Sequence, residues 1–179
     1  MKKPTRAALS AIDEAMSAIA GEVHPVVPTV PGGYCMPILV AAIGAGLRPL
    51  VMRSEAGAAT ATSGIAWESQ RPACCVTITG CGVLNAVQAL GAAWTNRTPM
   101  ILLSGECSTD DAVQSADGIS GTALVAVTSP LVIWAVQVTR SSSLPGVLLR
   151  AVRMAATMRR PVHVSVPMNV ATASVEVPA

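Results

Sequence analysis

Apolar residues recur along the chain in two alternating patterns, one typical of buried strands and one typical of helices. Mainly apolar runs occupy 73–78 and 100–103. Runs of this length without alternation are typical of parallel strands that are covered on both faces. Residues 83–94 and 144–158 instead carry apolar positions at helical spacing. Alternating strands and helices predict a parallel sheet with helices on both faces.

Weaker patterns complete the predicted elements. Strands are predicted at 23–30, 50–52, 73–78, 100–103, 134–138 and 162–166, and helices at 5–20, 34–43, 55–68, 83–94 and 144–158. Pro25 and Pro28 mark the first strand as a short or edge strand, because proline lacks a backbone donor. Residues 105–121 are polar and contain glycine, and a loop of this length in a compact domain is often functional. The residues from Pro167 onward are predicted to form an exit tail. The predicted fold is therefore α/β, a three-layer α/β/α arrangement with a six-stranded mainly parallel sheet, built as one domain from residues 1–179.

Composition narrows the class of protein. Half of the residues (51%) are hydrophobic and only 12% are charged, against about 25% charged in an average globular domain. Such an apolar chain is expected to cover part of its surface with a partner. The net charge of +2 without a basic cluster argues against nucleic acid. Turn and strand signals interrupt the uncharged stretches 72–96 and 119–139, so no membrane span is expected.

The five cysteines and the N-terminus suggest a compartment. No C-x-x-C pair occurs, and the neighbours Cys74 and Cys75 are expected on opposite faces of a strand. We therefore expect buried, reduced thiols in a cytoplasmic protein. The basic N-terminus lacks the apolar segment of a signal peptide.

Two turns carry candidate chemistry. Glu55 follows the predicted strand 50–52 and opens a helix rich in small residues. It is either an acid that the helix dipole favours, or a carboxyl group in a crevice that shares a proton with a ligand nitrogen. Gly80-Cys81-Gly82, with Asn85 after it, follows the next strand and is either a phosphate-binding turn or a tight strand-to-helix connection. Carboxyl ends of parallel strands are where open α/β sheets bind ligands.

Other polar residues offer less. Lysine occurs only at positions 2 and 3, which excludes a Schiff-base or phosphate-binding lysine within the fold. His24 and His163 lie in strand-like segments and are expected to be core or edge residues. The acids around Gln114 in the predicted loop are expected to be solvated.

Several segments taken together resemble a known family. The matching segments are Val30-Pro31-Gly32 (family pattern G-V-P-G), Ser54-Glu55-Ala56 (H-E-x-A), Thr79 to Asn85 (T-x-G-P-G-x-x-N), Pro99 to Gly105 and Arg160 to Pro167. With these segments the chain resembles the N-terminal, pyrimidine-binding domain of thiamine-diphosphate enzymes of the acetolactate synthase and 2-oxo acid decarboxylase superfamily. The resemblance runs from about residue 10 to residue 170.

This resemblance implies a cofactor and a set of roles. Glu55 would hydrogen-bond the aminopyrimidine ring of thiamine diphosphate and activate it, as the catalytic residue. The residues that would border the pyrimidine are Gly80, Cys81, Gly82 and Asn85. Pro31, Gly32 and Gln114 would lie on the substrate side. The implied reaction decarboxylates a 2-oxo acid and either releases an aldehyde or ligates the fragment to a second carbonyl compound.

Departures from the family pattern limit what the chain is expected to do alone. Cys81 stands where the family has proline, and Ser54 stands where many members have histidine. No G-D-G motif, which in the family holds the diphosphate and Mg²⁺, occurs in the sequence. We therefore expect no metal ligand in this chain and a separate diphosphate-binding subunit, in a heterodimer or heterotetramer. Two alternatives stay open: a non-catalytic structural subunit of the same fold that binds no thiamine, and an unrelated nucleotide-binding α/β module.

Overall fold

Strands and helices alternate along the chain as the apolar pattern predicts. The computed structural model describes residues 9–109 and 123–175. The strands are β1 (Val26–Thr29), β2 (Arg48–Val51), β3 (Ala73–Ile78), β4 (Met100–Glu106), β5 (Ala135–Gln137) and β6 (Val162–Pro167). The helices are α1 (Ala11–Ile19), α2 (Met36–Gly44), α3 (Glu55–Ser69), α4 (Cys81–Thr95), α5 (Leu124–Thr128), α6 (Leu144–Met158) and α7 (Met168–Thr172).

The six strands form one sheet in the order β2-β1-β3-β4-β6-β5, and every neighbouring pair is parallel. The central pair aligns Ala73 with Met100 and continues to Ile78 opposite Gly105. The predicted α/β class and six-stranded sheet are thus confirmed, with a sheet that is wholly parallel.

Two apolar cores cover the two faces of the sheet. One core joins the sheet to α1, α2, α6 and α7, and the other joins it to α3, α4 and α5. Cys74 belongs to the first core and Cys75 to the second, so the prediction that they face opposite ways is confirmed. Successive side chains of one strand therefore point alternately toward the two layers of helices.

Helix α1 begins at a well-formed cap. Ser10 accepts a hydrogen bond from the Asp13 backbone, while the Asp13 carboxylate accepts from the Ser10 backbone at 3.1 Å. A capping box of this kind satisfies amide donors that the first helical turn leaves free. The helix predicted from residue 5 therefore starts at Ala11, and residues 5–8 lie outside the described part of the chain.

Strand β1 is short, as predicted, but it does not lie at an edge. It lies between β2 and β3, and its register with β3 consists of Thr29 opposite Val76. Pro28 has no backbone N–H, and this absence falls on the side of β3, with which β1 forms little pairing. A hydrogen bond from the Thr29 hydroxyl to the Val76 carbonyl, at 2.8 Å, supplements this contact.

Three boundaries differ from the prediction. Gly105 and Glu106 end β4 and are not loop residues. Residues 124–128 form a short helix that the sequence pattern did not indicate. The predicted exit tail instead folds back as α7, after which Ser174 forms an antiparallel bridge with Ser10. Within residues 9–109 and 123–175, no helix has the length and apolar character to span a membrane.

Candidate functional site

Glu55 is the first residue of α3, at the carboxyl edge of the sheet. Ser54 before it is extended (φ −154°, ψ 154°), and its hydroxyl accepts a hydrogen bond from the Gly57 amide at 3.1 Å. Serine is a strong helix cap, so Ser54 has a structural role at the position where many family members have histidine. The cap fixes the start of α3 and holds the partly buried Glu55 at the sheet edge.

Gly80 makes the sharp turn between β3 and α4. Its backbone has φ 61° and ψ −118°, a conformation that disfavours any residue with a side chain. The α4 helix starts immediately afterwards, with the exposed Cys81 and the buried Gly82. Because α3 and α4 both begin at the same edge, their first turns face each other.

Asn85 and Glu55 join these two helices. The side-chain amide of Asn85 donates to Oε2 of Glu55 at 3.2 Å. A Cβ placed on Gly82 would lie 3.5 Å from Oε1 of Glu55 and 2.8 Å from Cγ2 of Ile78. One carboxylate oxygen is therefore held by Asn85, while the other faces a position where no side chain fits.

The segment after β1 closes over the same edge. A Cβ on Gly32 would lie 2.7 Å from Cδ1 of Ile78, so Ile78 separates Gly32 from Gly82. A Cβ on Gly105 would lie 2.1 Å from the carbonyl oxygen of Tyr34, so this segment also crosses the end of β4 in backbone contact. The structure thus brings Gly32 to the site, with the exposed Pro31 beside it.

Two buried thiols, Cys35 and Cys75, interact electrostatically with Glu55. Burial raises the pKa of Cys35, and the nearby Glu55 carboxylate adds to the increase against the effect of local backbone hydrogen bonds. Burial likewise raises the pKa of Cys75 to about 12, again with a smaller contribution from Glu55. Both thiols are therefore neutral near pH 7 and add no charge to the surroundings of Glu55.

Among the described residues, neither a cation nor a metal cluster accompanies Glu55. In residues 9–109 and 123–175, Glu55 has no ion-pair partner; the ion pair found there is Arg153 with Glu22 at 3.2 Å. The same part of the chain contains no group of three or more His, Cys, Asp or Glu side chains that could hold a metal ion. The functional groups at the site are the carboxylate of Glu55 and the amide of Asn85, next to Gly82.

The predicted site residues therefore fall into three groups. Asn85 hydrogen-bonds Glu55, Gly82 lies beside Glu55, and Gly80 and Cys81 form the turn that starts α4. Gly32 is joined to them through Ile78. Gln114 lies outside the described residues.

Glu106 is a polar residue near the site that the sequence pattern did not single out. It is 5% exposed at the end of β4, where its carboxylate accepts hydrogen bonds from Thr79 and the Cys107 amide. The signal for it was an acid three residues after an apolar run, as at Glu55. The polar residues that follow it concealed this signal, because they extended the predicted loop back over the end of the strand.

Comparisons with known proteins agree on one family. Residues 17–124, more than half of the chain, match the family described as "Thiamine pyrophosphate enzyme, N-terminal TPP binding domain". A probable 2-ketoarginine decarboxylase, AruI, of Pseudomonas aeruginosa is 29% identical over 148 residues, covering 82% of this chain and 26% of the relative. The acetolactate synthase large subunit of Lactococcus lactis is 28% identical over 151 residues, covering 81% of this chain and 25% of the relative.

A solved structure shows the same fold. The thiamine diphosphate-dependent 4-hydroxybenzoylformate decarboxylase of Rhodococcus jostii superposes with a TM-score of 0.86 at 18% identity, covering 94% of this chain and 32% of that protein. The chain spans about a quarter of the length of the two curated relatives named above. By its family match and its fold, this chain belongs to the thiamine pyrophosphate enzymes, and it corresponds to their N-terminal, TPP-binding domain.

Proposed function

We propose that residues 1–179 form a single domain that binds the aminopyrimidine half of thiamine diphosphate, with Glu55 as its catalytic residue. The contact among Glu55, Asn85 and Gly82 carries this proposal. Oε1 of Glu55 faces the glycine and is free of the hydrogen bond that Asn85 makes to Oε2. Position 82 carries no side chain that could shield Oε1, so a ring nitrogen of the cofactor can approach this oxygen.

Each residue then has a task on the ring. Asn85 holds Oε2 and so orients the carboxyl group, while Oε1 hydrogen-bonds N1′ of the pyrimidine and exchanges a proton there. The neutral thiols of Cys35 and Cys75 add no charge to the surroundings of the acid, and a surrounding poor in charge strengthens that hydrogen bond. Thiamine diphosphate, when bound, supplies the electron sink for decarboxylation.

The diphosphate and Mg²⁺ are proposed to be held elsewhere. The sequence has no G-D-G motif, and the described residues contain no metal-binding cluster. We assign these groups to a separate subunit with a G-D-G motif and an asparagine about 25–30 residues later, in a heterodimer or heterotetramer. Their ligands would be oxygen atoms of that subunit, as Mg²⁺ prefers.

Exposed apolar side chains around the site support such a subunit. Leu84, next to Asn85, is 43% exposed, Val51 at the end of β2 is 65% exposed, and Met36 at the start of α2 is 43% exposed. A groove of about 400 Å³ also runs between α3 and α4, with the 55% exposed Trp67 in its wall. Apolar surface of this kind is typical of an interface that another chain covers.

The proposed reaction is decarboxylation of a 2-oxo acid, ending in an aldehyde or in carboligation of acetolactate type. The names of the relatives, a 2-ketoarginine decarboxylase and an acetolactate synthase, support this class. Pro31 and Gly32 would border the substrate, together with Gln114. We also place the protein in the cytoplasm, which its five free cysteines support.

The test is cofactor binding with and without the second subunit. Calorimetric titration with thiamine diphosphate and Mg²⁺ is expected to show binding when the chain is co-purified with a G-D-G polypeptide, and none for the chain alone. The complex should then consume a 2-oxo acid. Tight cofactor binding and turnover by the 179-residue chain alone would contradict the division between two subunits.

A further inference from the structure

One face of the central strands changes from apolar to polar toward the candidate site. On the face that packs against α3 and α4, the strands begin with Cys75, Met100 and Leu102. Farther along the same face, at the carboxyl ends, the buried side chains are Thr77, Thr79, Ser104, Glu106 and Ser165. The opposite face keeps apolar residues such as Val76, Leu103 and Val166 along the same strands. The carboxyl ends of the central strands thus carry a buried polar layer beneath the site on this face of the sheet.

Glu106 is the only carboxyl group in that layer. It is 5% exposed, and in the part of the chain that the structure describes it has no cationic partner. Its Oε1 accepts hydrogen bonds from the Thr79 hydroxyl and from the Cys107 amide, the latter at 3.2 Å, while Oε2 lies 3.5 Å from the Ser165 hydroxyl. Burying an acid without a cation is unfavourable unless donors replace its water. The three donors meet that need, but they do not explain why an acid stands at this position.

Thr79 connects this acid to the candidate site. It directly precedes Gly80, whose positive φ makes the turn, and its carbonyl accepts a hydrogen bond from the Gly82 amide at 3.3 Å. The Gly80 carbonyl accepts from the Leu84 amide at 3.1 Å, which completes the first turn of α4. No side chain caps this helix start. The Thr79 hydroxyl on Glu106 is therefore the side-chain anchor of the turn that presents Gly82 and Asn85 to Glu55.

We propose that Glu106 is a positioning residue for the cofactor site, which acts through Thr79 to hold the Gly80 turn against Glu55. This inference rests on the proposed function for its consequence, thiamine diphosphate binding, but the anchoring itself is a property of this chain. In this role Glu106 acts through Thr79 and needs no contact with the cofactor or the substrate. Its removal shifts the start of α4, so the wall at Gly82 and the hydrogen bond from Asn85 no longer meet Glu55 in one arrangement.

Two substitutions remove the anchor, and two more serve as comparisons. Thr79→Val deletes the donor with little change of shape, and Glu106→Leu deletes the acceptor. Glu106→Gln keeps an oxygen acceptor for Thr79 and is expected to behave as wild type. Ser165→Ala removes the donor on the other carboxylate oxygen, away from the turn, and is the matched control.

The first readout is the alkylation rate of Cys81 in the full chain. Cys81 is the exposed cysteine and follows Gly80, whereas the other four cysteines are buried. Thr79→Val and Glu106→Leu are expected to change that rate about threefold or more, since a loosened turn opens locally. Ser165→Ala and Glu106→Gln should stay near the wild-type rate. If Glu106→Leu does not fold, Thr79→Val alone decides this comparison.

The second readout is the thiamine diphosphate concentration for half-saturation of the assembled enzyme. It is expected to rise about tenfold in Thr79→Val and Glu106→Leu, which corresponds to a lost anchoring hydrogen bond. It should hardly change in the two comparison variants. Unchanged Cys81 alkylation in both anchor variants would overturn the proposal, and so would altered alkylation with unchanged half-saturation. If the wild-type assembly itself binds no thiamine diphosphate, the proposed function fails, while the Cys81 rates still decide whether Glu106 holds the turn.

Discussion

The side-chain amide of Asn85 donates to Oε2 of Glu55 at 3.2 Å, across the first turns of two helices that follow different strands. This hydrogen bond leaves Oε1 as the oxygen that faces the glycine wall. In the proposed site the two residues act as a unit, in which the amide sets the orientation of the acid.

Replacing Asn85 tests that unit. Asn85→Ala removes the donor and is expected to lower the kcat/KM of the assembled enzyme about tenfold, as expected for a lost hydrogen bond to a charged group. Asn85→Asp places a second carboxyl group against Glu55 and should lower it further. Steady-state kinetics on the 2-oxo acid measure both. Gln88→Ala, an exposed change on the same helix, is the control. Full activity of Asn85→Asp would show that the contact has no role in the reaction.

Gly82 is predicted to tolerate no side chain. The Cβ of Gly82→Ala would lie 2.8 Å from Ile78 Cγ2, and should cost about 1–3 kcal/mol of unfolding free energy. The same methyl group would reach Oε1 of Glu55, so thiamine diphosphate affinity should fall as well. Urea unfolding and calorimetry measure the two effects.

Gly91→Ala gives the matched control for that substitution. Gly91 lies in the same helix, and a Cβ placed there meets nothing within 4 Å. Alanine at this position is expected to stabilise the protein by up to about 1 kcal/mol, because it favours the helix. If Gly82→Ala were as stable as Gly91→Ala and bound the cofactor as tightly as wild type, the wall at residue 82 would not exist.

Several strands and helices can be predicted from the sequence because their apolar patterns involve only residues close together in the chain. The bounds predicted for 73–78 and 144–158 agree with β3 and α6. Glu55 and the Gly80 turn were visible as an acid and a glycine pair at strand ends. The contact of Gly105 with the Tyr34 backbone, by contrast, joins distant segments, and no local pattern indicates it. Glu106 was missed because its burial depends on donors from β3 and β6.

The same limit explains the remaining differences. Pro28 marks a strand that is short or at an edge. The strand is short but internal, and β1 pairs too little with β3 for the missing amide to matter. The segment after Pro167 was predicted as a tail because its five-residue helix is too short for a periodic signal. The positions of Pro28 and of the segment after Pro167 both depend on which distant segments the fold packs against them.

His163 makes stability depend on pH. It is buried in β6, between hydroxyls of Ser104 at 2.9 Å and Thr128 at 2.8 Å, and burial lowers its pKa to about 4. The folded state therefore binds fewer protons than the unfolded state, in which the histidine pKa is about 6.5. The contribution to stability is complete above that value and is lost as the pH falls toward 4.

The expected loss from this residue between pH 7 and pH 5 is about 1–2 kcal/mol of unfolding free energy. Urea denaturation at both pH values measures it. In His163→Gln the titrating group is absent, so the variant should be less stable at pH 7 but should lose less stability on acidification. Equal pH dependence in the variant and in wild type would assign the effect to other groups.

Glu55→Gln tests the central claim most directly. The amide keeps the size of the side chain but cannot exchange a proton with a ring nitrogen. The assembled enzyme with Glu55→Gln is expected to consume the 2-oxo acid about 100-fold more slowly or worse, while Glu68→Gln, an exposed change on the same helix, should retain full rate. Unfolding curves of both variants show whether the loss reflects folding. An undiminished rate in Glu55→Gln, or a change in stability alone, would contradict the catalytic assignment and favour a non-catalytic subunit.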